Sequence, residues 1–196
     1  MKKRVIFNLL LVILIFFLFY VLYQSIREPI KFQAEKEKRE LAVIDKLIEI
    51  RKAQELFRGV KGGFAPTWDS LKKVLRYDSF MIVQVFGDPD DPEKKDEVYY
   101  DTIYKPAYDS VLKVGINLDS LEYVPYGNGA KFELKADTLT YQSTLVNVVE
   151  VGVKRKVFMG PWGDPRFKRY DDSYDPESVI KFGDLNRPTL AGNWER

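Results

Sequence analysis

The stretch that decides the fold runs from Ile50 to Leu75 and reads IRKAQELFRGVKGGFAPTWDSLKKVL. Its first part is rich in helix-favouring residues, and Gly59 is the residue type that most often follows a helix end. Lys61–Phe64 predicts a turn because two glycines lie side by side there. Thr67 is a good N-terminal cap, so a second, short helix is expected from there through Leu75. The stretch therefore predicts a long helix, a turn and a short helix.

Far upstream, residues 5–23 form an almost unbroken apolar run, VIFNLLLVILIFFLFYVLY, in which Asn8 is the only strongly polar residue. A helix of this length crosses about 30 Å of hydrocarbon. The run exceeds the ~7–15 apolar residues of a cleaved signal peptide, and no A-x-A cleavage pattern follows it. We therefore interpret it as an uncleaved signal anchor.

The charges around this run indicate a topology. Lys2, Lys3 and Arg4 precede the span, and the positive-inside rule places them in the cytoplasm. The expected location is the bacterial inner membrane, crossed once, with the C-terminal domain in the periplasm. Four segments follow from this interpretation: a cytoplasmic stub (1–4), a transmembrane signal anchor (5–23), a juxtamembrane linker and long helix (24–58), and a periplasmic α+β domain (59–196).

The linker and the long helix carry two further signals. Pro29 predicts a break or kink after the span, with a new helix from about Ile30 to Arg58. From Leu41 onward this helix has two apolar stripes on roughly opposite sides. The first stripe contains Val43, Leu47, Ile50 and Phe57. The second contains Leu41, Ile44, Ile48 and Leu56. A helix with two stripes needs two partners. One is the protein's own sheet, and the other is either a loop of the same chain or a second subunit, contacted through Leu41, Ile44 and Ile48.

The remainder of the sequence indicates β-structure. Strands are expected over 80–86, 98–104, 111–116 and 179–182, a hairpin over 121–126 and 130–135 around Gly127-Asn128-Gly129, and a long strand over 139–153 that continues to residue 159. Helices followed by strands at hairpin spacing favour an α+β domain with a mainly antiparallel sheet.

The composition excludes several kinds of chemistry. The chain has no cysteine and no histidine, which removes thiolate nucleophiles, histidine-based triads, disulfides and the commonest zinc ligands. The net charge is only +2, so no nucleic-acid partner is expected.

Four kinds of chemical site are conceivable in this sequence, and none has the residues it requires. The acidic loop 87–97 lacks the spacing of an EF-hand calcium loop. The glycines of 59–63 follow a helix and lack the final Ser or Thr of a phosphate loop. Ser70 has no identifiable base, and nothing singles out a carboxylate pair for glycoside hydrolysis among 29 acidic residues. We therefore expect no catalytic, cofactor-binding or metal-binding residues.

The loop after residue 159, GPWGDPRFKRY, is a candidate contact surface. Trp, Tyr and Arg are enriched at interface hot spots, and the candidate contact residues of this loop are Trp162, Phe167 and Tyr170. The alternative is that these aromatic side chains fold back onto the sheet. Asn8 is a further candidate, because it could hydrogen-bond across a helix interface in the membrane.

The stretch 50–75 resembles the end of the first helix and the following turn of type IV pilins and type II secretion pseudopilins. The residues that carry the resemblance are Ile50, Ala53, Phe57, Gly63, Phe64, Leu71 and Leu75. The resemblance implies an apolar N-terminal helix that runs into a pilin-like α+β head. The start, MKKRVIFNLLL, lacks the leader glycine and the glutamate of those families, so it carries no prepilin peptidase motif. The closing part resembles an uncharacterised group of single-pass bacterial envelope proteins.

These observations predict a non-catalytic inner-membrane subunit of a secretion or pilus-like envelope assembly, whose partners are the lipid bilayer and other envelope membrane proteins. An alternative is an accessory subunit of a proton-driven motor for secretion or outer-membrane energy transduction. That role would be passive, because the span holds no Asp or Glu to relay protons. A periplasmic ligand sensor is a third possibility, and it would need an apolar pocket with convergent polar groups.

Overall fold

The computed structural model describes residues 2–86 and 99–195, and the acidic loop weighed above as a calcium site lies outside them. The chain is α+β, as predicted. Its helices are α1 (Lys2–Lys61), α2 (Trp68–Tyr77), α3 (Ala107–Val114) and α4 (Arg155–Met159). Its strands are β1 (Ser79–Phe86), β2 (Tyr99–Pro106), β3 (Glu133–Tyr141), β4 (Thr144–Lys154) and β5 (Val179–Gly183).

Helix α1 is a single helix of 60 residues that contains Pro29, so the break predicted there as an alternative to a kink is wrong. A proline removes one hydrogen bond from a helix interior, and here it does not end the helix. At 1.5 Å per residue, α1 is about 90 Å long. Its apolar side chains from Ile6 to Tyr23 are all exposed, and α1 is the one helix among the described residues that is long and apolar enough to cross a membrane.

Helix α1 ends later than predicted. Gly62, with φ +79°, follows the last helical residue, and its amide donates to the carbonyl of Arg58 at 2.8 Å. Gly59 instead lies inside the helix, where a Cβ would come within 2.9 Å of the Phe80 ring. The glycine at position 59 therefore allows close packing of β1 against α1, and Gly62 makes the turn.

The turn after α1 is held by a buried amide. Gln54 has no exposed surface, accepts from the Ala65 amide at 2.9 Å and donates to the Ala65 carbonyl at 3.3 Å. Helix α2 then begins as predicted, with the Thr67 hydroxyl accepting from the Ser70 amide. Paired in this way, a fully buried Gln54 is compatible with the apolar core around it.

Residues 111–116 are not a strand. They belong to α3 and its C-terminal cap, where Gly115 adopts φ +76°. Ala107 and Val111, one helical turn apart, are both buried. A short apolar run cannot by itself distinguish a strand from a buried helix, and here the glycine cap decides in favour of the helix.

The main sheet has three antiparallel strands in the order β3-β4-β5. The predicted long strand over 139–153 is instead the β3–β4 hairpin, which turns at Gln142 and Ser143. The predicted extension to residue 159 is wrong, because α4 begins at Arg155. The predicted hairpin around Gly127-Asn128-Gly129 is a tight turn whose flanks make one bridge, Tyr123 to Lys131, and β5 is an edge strand as expected.

One hydrophobic core joins α1 to the rest of the chain. It contains residues from α1, α2, α3, β4 and β5, among them Val43, Leu47, Ile50, Leu71, Val111, Val149, Val151 and Phe182. Val43, Leu47 and Ile50 belong to the first predicted stripe of α1, and the sheet contributes Val149, Val151 and Phe182. The fold is therefore a long helix with the C-terminal half of its length packed into an α+β domain.

Candidate interaction surfaces

Strands β1 and β2 form a two-stranded sheet that is separate from the main sheet. The strands pair along their full length, from Ser79 opposite Pro106 to Phe86 opposite Tyr99. Phe80 contacts α1 at Gly59, and the Ala107 amide donates to the Asp78 carbonyl at 3.0 Å. These contacts lie at the root of the hairpin and hold it to the body.

Beyond the root, the hairpin is exposed on both faces. Met81 and Ile82 point to opposite faces because they are consecutive in a strand, yet they are 64% and 42% exposed. Opposite them, Tyr104 and Ile103 are exposed as well. The exposed apolar or aromatic residues of the hairpin are Met81, Ile82, Val83, Val85, Phe86, Tyr99, Tyr100, Ile103 and Tyr104.

The two described strands, β1 and β2, carry little charge. Among their residues, Asp101 and Lys105 are the only charged ones, and they have opposite signs. Tyr, Phe and Met are enriched in the cores of protein interfaces, where charged side chains are depleted. A contiguous apolar surface of this kind on a folded domain marks a binding site.

The outer edges of the two strands also have backbone groups that can form further hydrogen bonds. In the described sheet, each strand pairs with the other alone, so the outer edge of each presents unpaired N–H and C=O groups. A two-stranded sheet by itself is at best marginally stable in water. The hairpin can therefore accept both a third strand and apolar side chains.

A second surface surrounds Phe32 of α1. Phe32 is fully buried among the loop residues Trp162, Phe167, Tyr170 and Tyr174, and we refer to these five residues as the aromatic cluster. The Phe167 ring stacks on Phe32 at 5.0 Å, and the Tyr174 ring meets it edge-on at 5.0 Å. Aromatic pairs at such distances stabilise by about 0.5–1.5 kcal/mol beyond their burial. The cluster fixes the loop after α4 to the helix.

Polar contacts surround the aromatic cluster. The Tyr170 hydroxyl donates to Glu28 at 2.6 Å, and Arg169 donates to the same oxygen at 3.2 Å. Arg39 donates to the carbonyls of Phe158 and Met159.

An ion pair also links α1 to this loop. Lys36 pairs with Asp171, and this hydrogen bond, together with one from Ser173, lowers the pKa of the Asp171 carboxyl to about 2. The loop is therefore held to α1 by charge as well as by packing.

The predicted contact residues are found in three kinds of environment. Asn8 is exposed on the apolar part of α1, and Leu41 is 53% exposed. Ile44 and Ile48 are partly buried, and Ile44 packs against the core.

The predicted contact residues of the loop are more buried. Phe167 is 1% exposed, while Trp162 and Tyr170 are partly buried. The loop aromatics therefore fold back onto helix α1, rather than onto the sheet.

The structure brings Trp162, Phe167 and Tyr170 together and leaves Asn8 and Leu41 apart from them. The hairpin was predicted as strands but not as a contact surface. Its sequence nevertheless held a signal, since FMIVQVF does not alternate between apolar and polar residues. A strand that is apolar on both faces requires cover on both faces.

Comparisons with family models, with curated proteins and with solved structures find no match to this chain. The function is therefore argued from the geometry of the described residues, and above all from the hairpin and the aromatic cluster.

Proposed function

We propose that this protein is a non-catalytic, single-pass inner-membrane subunit of a bacterial envelope assembly, of the secretion or pilus-like kind. It acts by anchorage and by contact with other membrane proteins. The single observation that carries the proposal is the β1–β2 hairpin, whose described strands expose apolar and aromatic side chains on both faces. A pilin-like arrangement of the head is part of the proposal, and the packing of a long N-terminal helix against an antiparallel sheet supports it.

The anchor is the apolar part of α1. In the described part of the chain its apolar side chains from Ile6 to Tyr23 are all exposed, which is the state expected of side chains that face lipid. With Lys2, Lys3 and Arg4 at its start, we place the N-terminus in the cytoplasm and the folded domain in the periplasm.

The helix also sets the height of the hairpin above the membrane. From Tyr23 to Gly59, where the hairpin root is attached, α1 rises about 54 Å. A strand of eight residues is only about 27 Å long. Each described strand is therefore shorter than the rise of α1 between the bilayer and the hairpin root, which supports a protein as the partner of the hairpin.

The chemistry of the hairpin indicates the kind of protein segment that binds there. Unpaired strand edges bind an extended segment by backbone hydrogen bonds, and side chains at alternate positions then pack on the two faces. Because Asp101 and Lys105 cancel, the complement is an apolar strand without strong charge. We propose such a strand of a neighbouring envelope membrane protein as the occupant.

The shifted titratable groups support a binding role over a catalytic one. Burial raises the pKa of Glu122, but hydrogen bonds from Lys72 and Lys131 outweigh it and bring the pKa below its ordinary value. Asp171 is likewise paired with Lys36. Each of these carboxylates is held by lysines that join elements of the fold, which is a structural role.

Site-specific photocrosslinking tests the hairpin as the contact. A benzophenone amino acid replaces Tyr100, which is 65% exposed, in the full chain within native membranes. The matched control replaces Leu145, an apolar residue of β4 next to the β3–β4 turn that is 73% exposed. We expect one membrane protein to be crosslinked from position 100 and not from position 145, and Val83→Asp to abolish that crosslink.

Two results would count against this contact. Equal crosslinking from positions 100 and 145 would mean random encounter. Crosslinking only between two differently tagged copies of this chain would replace the proposed neighbour with a second copy.

A further inference from the structure

The structure contains an open cleft where α1 leaves its apolar run. It has a volume of about 670 Å³ and lies between α1 and the loop that carries the aromatic cluster. Val21, Gln24 and Ser25 form its end nearest the apolar run, and Arg27, Lys31 and Trp162 lie further along it. Arg169 and Tyr170 also contribute to its wall. The cleft is therefore lined by α1 on one side and by the loop after α4 on the other.

The cleft is positively charged. Its lining holds three cations, Arg27, Lys31 and Arg169, and one carboxylate, Glu28. Glu28 already accepts from Tyr170 and Arg169, so its charge is offset. Within residues 2–86 and 99–195, neither Arg27 nor Lys31 has a carboxylate within 4.0 Å, although Arg27 lies over the Tyr23 ring. Two cations of the cleft thus remain available to an anion.

The position of the cleft relates it to the membrane surface. Val21 belongs to the apolar run, and Lys31 follows it by about 15 Å along the helix axis. The headgroup region begins where the hydrocarbon ends and is several ångströms thick, so the cleft spans the boundary between the two. Trp162 and Tyr170 are side chains of the amphipathic aromatic type that is enriched at this depth.

We propose that the cleft binds the headgroup of an anionic glycerophospholipid, such as phosphatidylglycerol. Arg27 and Lys31 pair with the phosphate, Gln24 and Ser25 hydrogen-bond the glycerol and ester oxygens, and the acyl chains run along the Val21 side. Trp162 closes the outer wall. The proposal rests on the membrane anchorage of α1 given under the proposed function, and it is independent of the partner of the hairpin.

Lipid-selective fluorescence quenching tests the site in the full chain. Trp68→Phe and Trp194→Phe leave Trp162 as the only tryptophan, and the protein is placed in phosphatidylcholine bilayers. A shallow spin label is then supplied on phosphatidylglycerol or on phosphatidylcholine at equal mole fraction. One basic residue near a membrane surface contributes about 1 kcal/mol of attraction, so we expect about a fivefold or greater preference for the anionic label.

Two charge variants separate a site from a diffuse field. Arg27→Gln with Lys31→Gln removes the two available cations of the cleft, and the preference should fall to about twofold or less. Lys38→Gln with Lys168→Gln removes the same charge from nearby exposed positions outside the lining and should leave the preference intact. Native mass spectrometry of the unmodified chain, counting retained phosphatidylglycerol against phosphatidylcholine, provides the same comparison without the tryptophan substitutions.

Each adverse outcome has its own meaning. Equal quenching by both labels, or an equal loss in both charge variants, would overturn the headgroup site while leaving the anchor in place. Displacement of the labelled lipid by millimolar glycerol phosphate would show a site for free phosphate esters, against the lipid proposal. Failure of the chain to stay with the bilayer after alkaline washing would overturn the anchorage itself, and with it the proposed function.

Discussion

At the scale of single residues, Phe32 has the clearest structural role. It lies on α1 beyond the apolar run, has no exposed surface and is paired with four aromatic rings of the loop after α4. Nothing in the sequence near position 32 suggests this, because its neighbours are Lys31 and Gln33. The partner rings lie more than a hundred residues away in the chain.

Phe32→Ala should therefore loosen the loop and lower the stability of the domain. Removing a buried phenylalanine typically costs about 3–5 kcal/mol, and the cluster around it has little means of closing the cavity. Denaturant unfolding of the full chain in detergent, followed by tryptophan fluorescence, measures the free energy. Ile30→Ala, at an exposed position two residues away, is the control and should change it by less than about 0.5 kcal/mol. A loss equal to that of the control would contradict the packing of the cluster.

Asp171 gives the stability a dependence on acid. Its hydrogen bond from Lys36 lowers the pKa of the carboxyl to about 2, below the ordinary value of 3.8. A carboxyl whose pKa is lowered by folding stabilises the fold fully above its ordinary pKa, and this contribution is lost as the pH falls towards 2. The exposed part of the pair is screened by water, so the contribution is on the order of 1 kcal/mol.

Asp171→Asn should remove that part of the pH dependence. We expect the variant to be less stable than the natural chain at pH 6 and nearly equal to it at pH 2. Denaturant midpoints measured between pH 2 and pH 6 provide the test. A stability difference that stays constant over this range would mean that the pair with Lys36 does not lower the pKa of the Asp171 carboxyl.

At the scale of elements, the β3–β4 hairpin contains a turn that its sequence does not predict. Tyr141 pairs with Thr144, and the two residues between them, Gln142 and Ser143, have φ of 47° and 66°. Two positive φ values in a two-residue loop are typical of a type I′ turn, which favours Asn-Gly. Gln and Ser pay a conformational cost there, since neither prefers the left-handed region.

Replacing Gln142-Ser143 by Asn-Gly should stabilise the chain. Each residue relieved of a left-handed conformation contributes on the order of 1 kcal/mol, so we expect a gain of about 1–2 kcal/mol. Ala-Ala at the same positions is the control and should give no gain. Thermal unfolding of the three proteins decides, and a lower midpoint for the Asn-Gly variant would mean that the turn is of another type.

The elements also show where sequence reasoning succeeds. The apolar run, the long helix with Val43, Leu47 and Ile50 on one face, and α2 after its Thr67 cap follow from local signals, and the structure has all of them. Local signals are reliable where a whole turn or face agrees with them.

The errors arose where one residue had to decide between two structures. Pro29 predicted a break, but it is accommodated within α1. Residues 111–116 were too short for their period to distinguish a helix from a strand. Gln142-Ser143 lacks the Asn-Gly type of residues that predict a tight turn, so the sequence predicts one strand where the structure has two. Gly59 serves as a contact point for Phe80, which only the fold reveals.

At the scale of the whole molecule, α1 connects two environments. One end is an apolar helix without cover, and the other end is built into the core of an α+β domain. The loop bound at Phe32 lies close to the first end, while the hairpin is attached at Gly59 near the second. The candidate contact surfaces could be described only with the fold in hand, because each joins residues that are distant in sequence or depends on exposure that the sequence does not record.

The central claim is that this chain is a non-catalytic subunit of a larger membrane assembly, held through the hairpin. The most direct measurement is gentle detergent extraction of the native complex, with the stoichiometry of co-purifying membrane proteins determined by quantitative mass spectrometry. We expect a fixed ratio to at least one other membrane protein. We also expect that ratio to be lost in Val83→Asp/Tyr100→Asp, with the variant still anchored and folded, and to be retained in the control Leu145→Asp. A monodisperse lone protein, or a complex that the hairpin variant leaves unchanged, would contradict the claim.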